Sequence, residues 1–347
     1  MRFRVAEALI YRRGRQQPMI SEDLVLFGLS GSRQLAESTT KEIGIPLAAH
    51  EERDFEDGEH KIRPLQSVRN KDTYLLQSLH TDAQSSVNDK LVRLLFFIAC
   101  LKDAAAGRVT VLSPYLAYAR KDRKTQPRDP VTLRYLAQLL ESVGADRLVT
   151  LEVHNLAAFQ NAFRCRTEHL IPDSLFVDEL VATTSPKESL VVLSPDAGGV
   201  KRADRFRRSL GARLGRELPL ASMEKARSKG VLEIGRLIGD VAGSTVVIID
   251  DLISTGGTLV GAARACKEAG ARRIVAAAAH GVFSAKANEV LAADELDRIL
   301  VTDSIEPLRL SSDLLAHKVK VLSAAMLFAS AVRALHGGDS LLALRDA

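Results

Sequence analysis

A chain of 347 residues with 46% hydrophobic residues, 5% aromatics and no Trp has room for two ordinary globular domains with cores of Leu, Val, Ile and Ala. The formal charge is +5, but five Arg (2, 4, 12, 13 and 15) against Glu7 place most of it in the first twenty residues, so nucleic acid is not expected as a partner. Three scattered cysteines (Cys100, Cys165, Cys266) argue against a disulfide framework or zinc site and for a reduced, cytoplasmic setting, and no apolar run approaches the roughly 20 residues of a membrane span.

Residues 1–22 form the Arg-rich extension. Val25 to Gly28 reads as a short strand, Ser30-Gly31-Ser32 as a turn and cap, and Arg33 to Ile43 as a helix. A second short strand leads into Arg53-Asp54-Phe55-Glu56-Asp57-Gly58-Glu59, by spacing alone a solvated acidic turn with Phe55 folded into the core. A strand at Asp72 to Ser78 precedes a helix capped by Asn88-Asp89, with Leu91, Leu94, Leu95, Ile98 and Leu101 on one face. The strand Arg108 to Leu112 runs into a segment where four of five residues from Arg120 to Lys124 are cationic. Such a run is ordinarily a solvated face. Following a buried strand, it lies where parallel sheets bind ligands, and a polyphosphate is the expected partner. Pro130 opens a helix that Gly144 stops. The strand Leu148 to Val153 delivers Glu152-Val153-His154 to the same edge, where a lone His reads as structural until a partner is found.

Pro172, Pro186 and a Thr-Thr-Ser run mark a boundary, with a helix at Ser174 to Ala182 between them. The strand–helix pattern then resumes. Leu190 to Leu193 leads into Ser194-Pro195-Asp196-Ala197-Gly198-Gly199-Val200-Lys201-Arg202, and a carboxylate, paired Gly and two cations at a helix start suit a Mg²⁺–polyphosphate. Residues 222–236 are polar and basic and read as a mobile loop. Val246 to Ile249 is a buried strand carrying Asp250-Asp251, then Ser254-Thr255-Gly256-Gly257-Thr258, then a helix from Leu259 to Glu268. Backbone N–H groups, the Thr255 and Thr258 hydroxyls and the helix dipole make a phosphate cradle; the two carboxylates are placed for sugar hydroxyls or a Mg²⁺ shell. Strands at 274–279, 298–302 and 319–322 and a helix at 324–335 complete the chain. Alternating strands and helices imply parallel α/β sheets, and the shared grammar of the halves suggests an internal duplication.

Phe55 to Glu59, Tyr118 to Lys124, Gly144-Ala145-Asp146-Arg147, Val153-His154, Ser194 to Arg202, Lys225-Ala226-Arg227, Gly239-Asp240-Val241 and Asp250 to Thr258 together resemble one family over about residues 24 to 342. It is the ribose-phosphate pyrophosphokinase family, also called phosphoribosyl-pyrophosphate (PRPP) synthetase. The resemblance implies two tandem phosphoribosyltransferase-like, Rossmann-like α/β domains, each a mainly parallel sheet flanked by helices. They would divide as an extension at 1–22, domains at 23–165 and 166–322, and a C-terminal helix and tail at 323–347. It implies a soluble Mg²⁺-dependent transfer of the diphosphoryl group of ATP to O1 of ribose 5-phosphate, giving PRPP and AMP, in a homo-oligomer whose site is shared between subunits.

Carried over residue by residue, Phe55, Asp57 and Glu59 with Arg120, Lys121 and Asp122 would bind ATP. His154 and Asp196 would hold Mg²⁺, and Asp196, Ala197, Gly198 and Gly199 would form the pyrophosphate loop. Lys225 and Arg227 would be the catalytic pair. Asp250 and Asp251 would take the ribose hydroxyls, and Ser254, Thr255, Gly256, Gly257 and Thr258 the 5-phosphate. The chain departs from many members at Lys121 (commonly Gln), Ser254 (commonly Asp), Glu152 (commonly Asp) and in Leu79 to Val87. Two alternatives are a phosphoribosyltransferase that consumes PRPP and a non-catalytic homologue that regulates a true synthetase. The Arg120 run, the Asp196 loop and the double domain are surplus to the first, and intact Lys225, Arg227, His154 and Asp196 speak against the second.

Overall fold

Apolar runs buried on both faces become two largely parallel sheets, as the strand–helix alternation predicts. The computed structural model describes residues 23–344 apart from Pro186, Lys229, Gly230 and Ala285, without the side chains of residues 225–234 and 343. The Arg-rich extension lies outside the described residues.

The first half runs β1 (Leu24–Gly28), α1 (Arg33–Ile43), β2 (His50–Asp54), β3 (His60–Pro64), β4 (Asp72–Leu76), α2 (Val87–Asp103), β5 (Arg108–Ser113), α3 (Thr132–Ser142), β6 (Arg147–Leu151), α4 (Leu156–Ala162) and β7 (Arg166–Leu170). The second half runs α5 (Asp173–Thr183), β8 (Leu190–Ser194), α6 (Val200–Leu214), β9 (Leu220–Ser228), β10 (Val231–Ile238), β11 (Thr245–Ile253), α7 (Gly257–Glu268), β12 (Arg273–Gly281), α8 (Ala287–Leu291), β13 (Arg298–Thr302), α9 (Ser312–His317), β14 (Val319–Leu322) and α10 (Ala325–Gly337).

The first sheet has the order β1-β4-β5-β6-β7 with every pair parallel. Its last strand, Arg-Thr-Glu-His-Leu, pairs with β6 and carries the sheet to Leu170, past the boundary expected at residue 165. An edge position explains why so polar a segment is a strand. Helices α2 and α3 cover one face through Leu94, Phe97, Leu133 and Leu136. The other face, with Leu26, Tyr74 and Leu76, is covered by α1 and by the C-terminal helix α10 through Phe328 and Val332. A polar hairpin, β2–β3, lies outside the sheet with Phe55 to Glu59 at its tip.

The second sheet has the order β10-β9-β8-β11-β12-β13-β14. Where a mobile loop is expected at 222–236, the described residues instead lie on two strands: β9 pairs parallel with β8 and antiparallel with β10, with a register shift between Glu233 and Arg236. Buried Ala221 and Met223 anchor the ribbon in the core, and its polar sequence suits a sheet edge.

Local chemistry also moved two helix starts. Ser86, not Asn88-Asp89, caps α2: its hydroxyl accepts from the Asp89 amide at 3.2 Å while the Asp89 carboxylate accepts from the Ser86 amide at 2.8 Å. Pro130 precedes α3, whose first residue is Thr132.

Candidate active site

Four loops meet at the carboxyl ends of the two sheets. In the second sheet β8 and β11 are neighbours, so the loop from Asp196 to Gly199 lies beside the loop from Ser254 to Thr258. From the first sheet, β5 ends in the cationic segment and β6 in Glu152-Val153-His154. Tyr115, Arg120, His154, Asp251 and His280 line one cleft between the halves.

His154 finds its partner there. Its Nδ1 lies 2.6 Å from the Asp251 carboxylate, and this hydrogen bond raises the His154 pKa above the usual imidazole value. Asp250 and Asp251 are both desolvated. Burial pushes both up, and the charge of Asp251 raises Asp250 further. Asp251 is nevertheless held well below the ordinary carboxylate range by His154 and by the Arg202 guanidinium. The Asp250 carboxylate also accepts from the Asp251 amide at 2.8 Å.

Arg202 does not stand as a free phosphate cation beside Lys201. It bonds the Glu152 carboxylate at 3.2 Å and lies 3.6 Å from Asp250 and 3.9 Å from Asp251, while Lys201 is exposed. A planar fork of donors can serve three carboxylates from two segments at once. Arg205 bonds Glu152 at 2.8 Å and Asp173 at 2.8 Å. Although burial opposes it, the two guanidiniums hold the Glu152 pKa below its usual value.

The loop from Ser254 to Thr258 joins β11 to α7, the strand–loop–helix junction expected there. Gly256 stands at φ +88° as the N-cap of α7, and a Cβ there would lie 2.3 Å from a Leu291 methyl. Thr255, Gly257 and Thr258 are exposed at the helix start, and the Thr255 hydroxyl accepts from the Gly257 amide at 3.3 Å. In the neighbouring loop the Asp196 carboxylate accepts from the Gly199 amide at 2.9 Å, fixing a single 3₁₀ turn over Ala197, Gly198 and Gly199.

The other candidates lie around this cluster. Arg120 is exposed; Lys121 is drawn to Asp129 at 2.5 Å and to Thr125 at 3.0 Å. Asp122 accepts from the Asn155 amide at 2.6 Å, and Asn155 caps α4 directly after His154. Phe55 is 40% exposed, not folded into the core, and Arg53 sits 5.2 Å above its ring. Asp57 accepts from the Glu59 amide at 3.1 Å across the hairpin tip. This hairpin is held to the β1 side of the sheet by Ser30, which donates to Glu52, and to α2 by Arg93. Lys225 and Arg227 lie on β9, where the Arg227 backbone pairs with Leu232; their side chains lie outside the described residues.

Mg²⁺ binds through oxygen and usually keeps several waters and substrate phosphates in its shell. Among the described residues no group of three or more His, Cys, Asp or Glu converges to hold a metal unaided. The residues suit an ion brought in with a polyphosphate. His154 is oriented through Nδ1, leaving Nε2 for an outer ligand, and the Asp196 carboxylate stands at the mouth of the adjoining loop.

Sequence reasoning did not single out Arg205, Asp173, Tyr115 or His280. Asp173 following Pro172 at a helix start was the visible trace of the first pair; nothing local signalled the others.

The chain matches the model of the N-terminal domain of ribose phosphate pyrophosphokinase over residues 24–144 and that of the phosphoribosyl synthetase-associated domain over residues 212–345. It is 37% identical over 314 residues to ribose-phosphate pyrophosphokinase 2 of Enterococcus faecalis, covering 90% of this chain and 93% of that one. It is 36% identical over 331 residues to ribose-phosphate pyrophosphokinase 1 of Streptococcus pneumoniae serotype 4, covering 94% and 98%. The crystal structure of phosphoribosylpyrophosphate synthetase from Mycobacterium smegmatis superposes with a TM-score of 0.81 at 34% identity, covering 91% of this chain and all of that one. With both family models and these relatives in agreement, the chain belongs to the ribose-phosphate pyrophosphokinase family.

Proposed function

We propose that this chain transfers the β,γ-diphosphoryl group of ATP to O1 of ribose 5-phosphate, giving PRPP and AMP. Family membership already places it among the enzymes of PRPP synthesis. One observation carries the finer reading. A sugar-phosphate cradle with two carboxylates and a separate Asp-Gly-Gly loop lie on neighbouring strands, and His154 and Arg120 face them from the other sheet. A single-substrate phosphate site has no need of the second loop or the facing cations.

In this reading the 5-phosphate rests on Ser254 to Thr258, and Asp250 and Asp251 take the ribose hydroxyls. O1 attacks the β phosphorus, the bond from that phosphorus to the α,β-bridging oxygen breaks, its electron pair leaves with AMP, and the O1 proton is released. Diphosphoryl transfer asks mainly for alignment and charge neutralisation. We assign those tasks to Arg120 and to Lys225 and Arg227 on β9, with Phe55, Asp57, Glu59, Lys121 and Asp122 contributing to nucleotide binding. Mg²⁺, held by His154 and Asp196, would neutralise and orient the polyphosphate.

The hairpin bearing Phe55 is tied to the loop after β1, and β1 lies three strand steps from β6, about 14 Å. That separation favours a homo-oligomer in which a second subunit's hairpin completes the nucleotide pocket.

The test is product analysis by mass with ATP, ribose 5-phosphate and Mg²⁺. AMP and PRPP should form in equal amounts and vanish when any of the three is omitted. ADP as the nucleotide product, or no turnover by protein that binds both substrates, would overturn the reading.

A further inference from the structure

His280 is buried at the seam between the halves and is absent from the roles assigned above. It stands on β12 opposite Leu252 of β11, one residue beyond Asp251. Its Nε2 lies 3.0 Å from two carbonyl oxygens of the other half, those of Leu151 and Glu152. Carbonyls only accept, so Nε2 carries the proton and donates to both. Nδ1 is then the acceptor for the Ser304 hydroxyl, 2.8 Å away. The Ser304 hydroxyl is itself packed among Thr302 and the Ala279 carbonyl, and Ser78 of the first half donates to the Ser304 carbonyl. The His280 ring also meets Tyr115 edge-on at 5.0 Å, at the start of the segment that leads to Arg120.

The residue whose carbonyl it holds is unusual. Glu152 has φ +29°, in a region that a side chain with a Cβ adopts only under constraint. The constraint is applied from several sides. The Glu152 amide donates to the Leu170 carbonyl at 2.9 Å, the Val153 amide donates to His169 Nε2 at 3.1 Å, and Arg202 and Arg205 hold the carboxylate. Two residues later the chain presents His154 to Asp251.

We propose that His280 is a positioning residue for His154: its Nε2–H grips the Leu151 and Glu152 carbonyls, holds the left-handed turn at Glu152, and so sets the approach of His154 to Asp251. The inference rests on His154 having a place in the diphosphoryl-transfer site. Burial lowers the His280 pKa, in keeping with a neutral ring in this role.

Side-chain length allows the two ring nitrogens to be tested separately. Gln ends in an amide nitrogen at the Nε2 position, whereas Asn reaches only the Nδ1 position. His280→Gln should keep the grip and retain kcat within about threefold. His280→Asn should lower kcat by about tenfold or more, the usual scale for losing a partner that orients a ligating His, with KM for either substrate changed far less. Ser304→Ala removes the other side of the ring, leaves the grip in place, and should keep kcat near wild type even where it lowers the unfolding temperature. Crystal structures of the folded variants supply a readout independent of turnover: φ at Glu152 and the His154–Asp251 distance should be unchanged in His280→Gln and Ser304→Ala and altered in His280→Asn.

The proposal is overturned if folded His280→Gln loses as much kcat as His280→Asn, or if Ser304→Ala does. It is also overturned if His280→Asn leaves Glu152 and His154 in place. Should His280→Asn fail to fold, the other two variants decide. Absence of turnover in the wild type would refute the functional reading, while the crystal structures would still decide the role of His280.

Discussion

His154 follows a strand of one sheet and Asp251 lies on a strand of the other, yet their side chains meet at 2.6 Å. The bond raises the His154 pKa, so its loss must lower it. Asp251→Asn should bring His154 back toward the ordinary imidazole value, read by NMR titration of its ring protons. The same variant should lower the rate of AMP formation at saturating substrate about tenfold or more, as losses of carboxylates that orient ligating histidines do.

Gly256 should not tolerate a side chain. Its φ is +88° and the new methyl would collide with Leu291. Gly256→Ala is expected to cost about 1–3 kcal/mol of stability and to weaken ribose 5-phosphate binding, measured by calorimetry, more than ATP binding. Adding Leu291→Ala should recover part of the affinity, because it removes the collision but not the backbone strain.

Lys225→Ala and Arg227→Ala should each lower kcat by roughly two orders of magnitude, the scale of a lost transition-state donor. Binding of ribose 5-phosphate alone should change little, since the loop proposed for it, Ser254 to Thr258, joins β11 to α7 and is not part of β9. Equal losses in affinity and in kcat would remove these residues from the transferring step.

Acid should loosen the molecule at Asp72. Burial raises this carboxyl, but bonds from Arg108 and His336 hold its pKa below the usual value. A carboxyl depressed in the folded state stabilises the fold above its unfolded pKa, and that contribution is lost as pH falls through the folded pKa. Asp72→Asn should therefore cost about 2 kcal/mol at pH 7, and its deficit against wild type, followed by thermal unfolding, should shrink below about pH 4.

The sequence disclosed its buried strands because parallel strands covered on both faces are continuous apolar runs, as in Val-Val-Ile-Ile before Asp250. It hid the edge elements. Arg-Thr-Glu-His-Leu of β7 and His-Lys-Ile-Arg-Pro of β3 are mostly polar and show no alternation strong enough to read. The strands β9 and β10, where a mobile loop is expected at 222–236, are hidden for the same reason. Within the candidate site, the Asp196 and Ser254 loops were legible as strand–helix junctions because Gly, Asp and Thr cluster there after apolar runs. Arg202 and His280 were not legible in their actual roles. What they do depends on Glu152, some 50 and 128 residues away in sequence, and no local spacing encodes such a meeting.

The helix α10 gives the fold an unusual order of completion. With α1 it covers Leu26, Tyr74 and Leu76 of the first sheet, yet it follows the whole second sheet in the chain. During translation the part of that apolar face beyond α1 stays uncovered while the second half emerges, so the first sheet is completed only after it. A prematurely terminated chain would expose a sticky surface and go to chaperones or proteases. The two halves thus mature together, because the first sheet closes its second face only on a helix that the second half delivers.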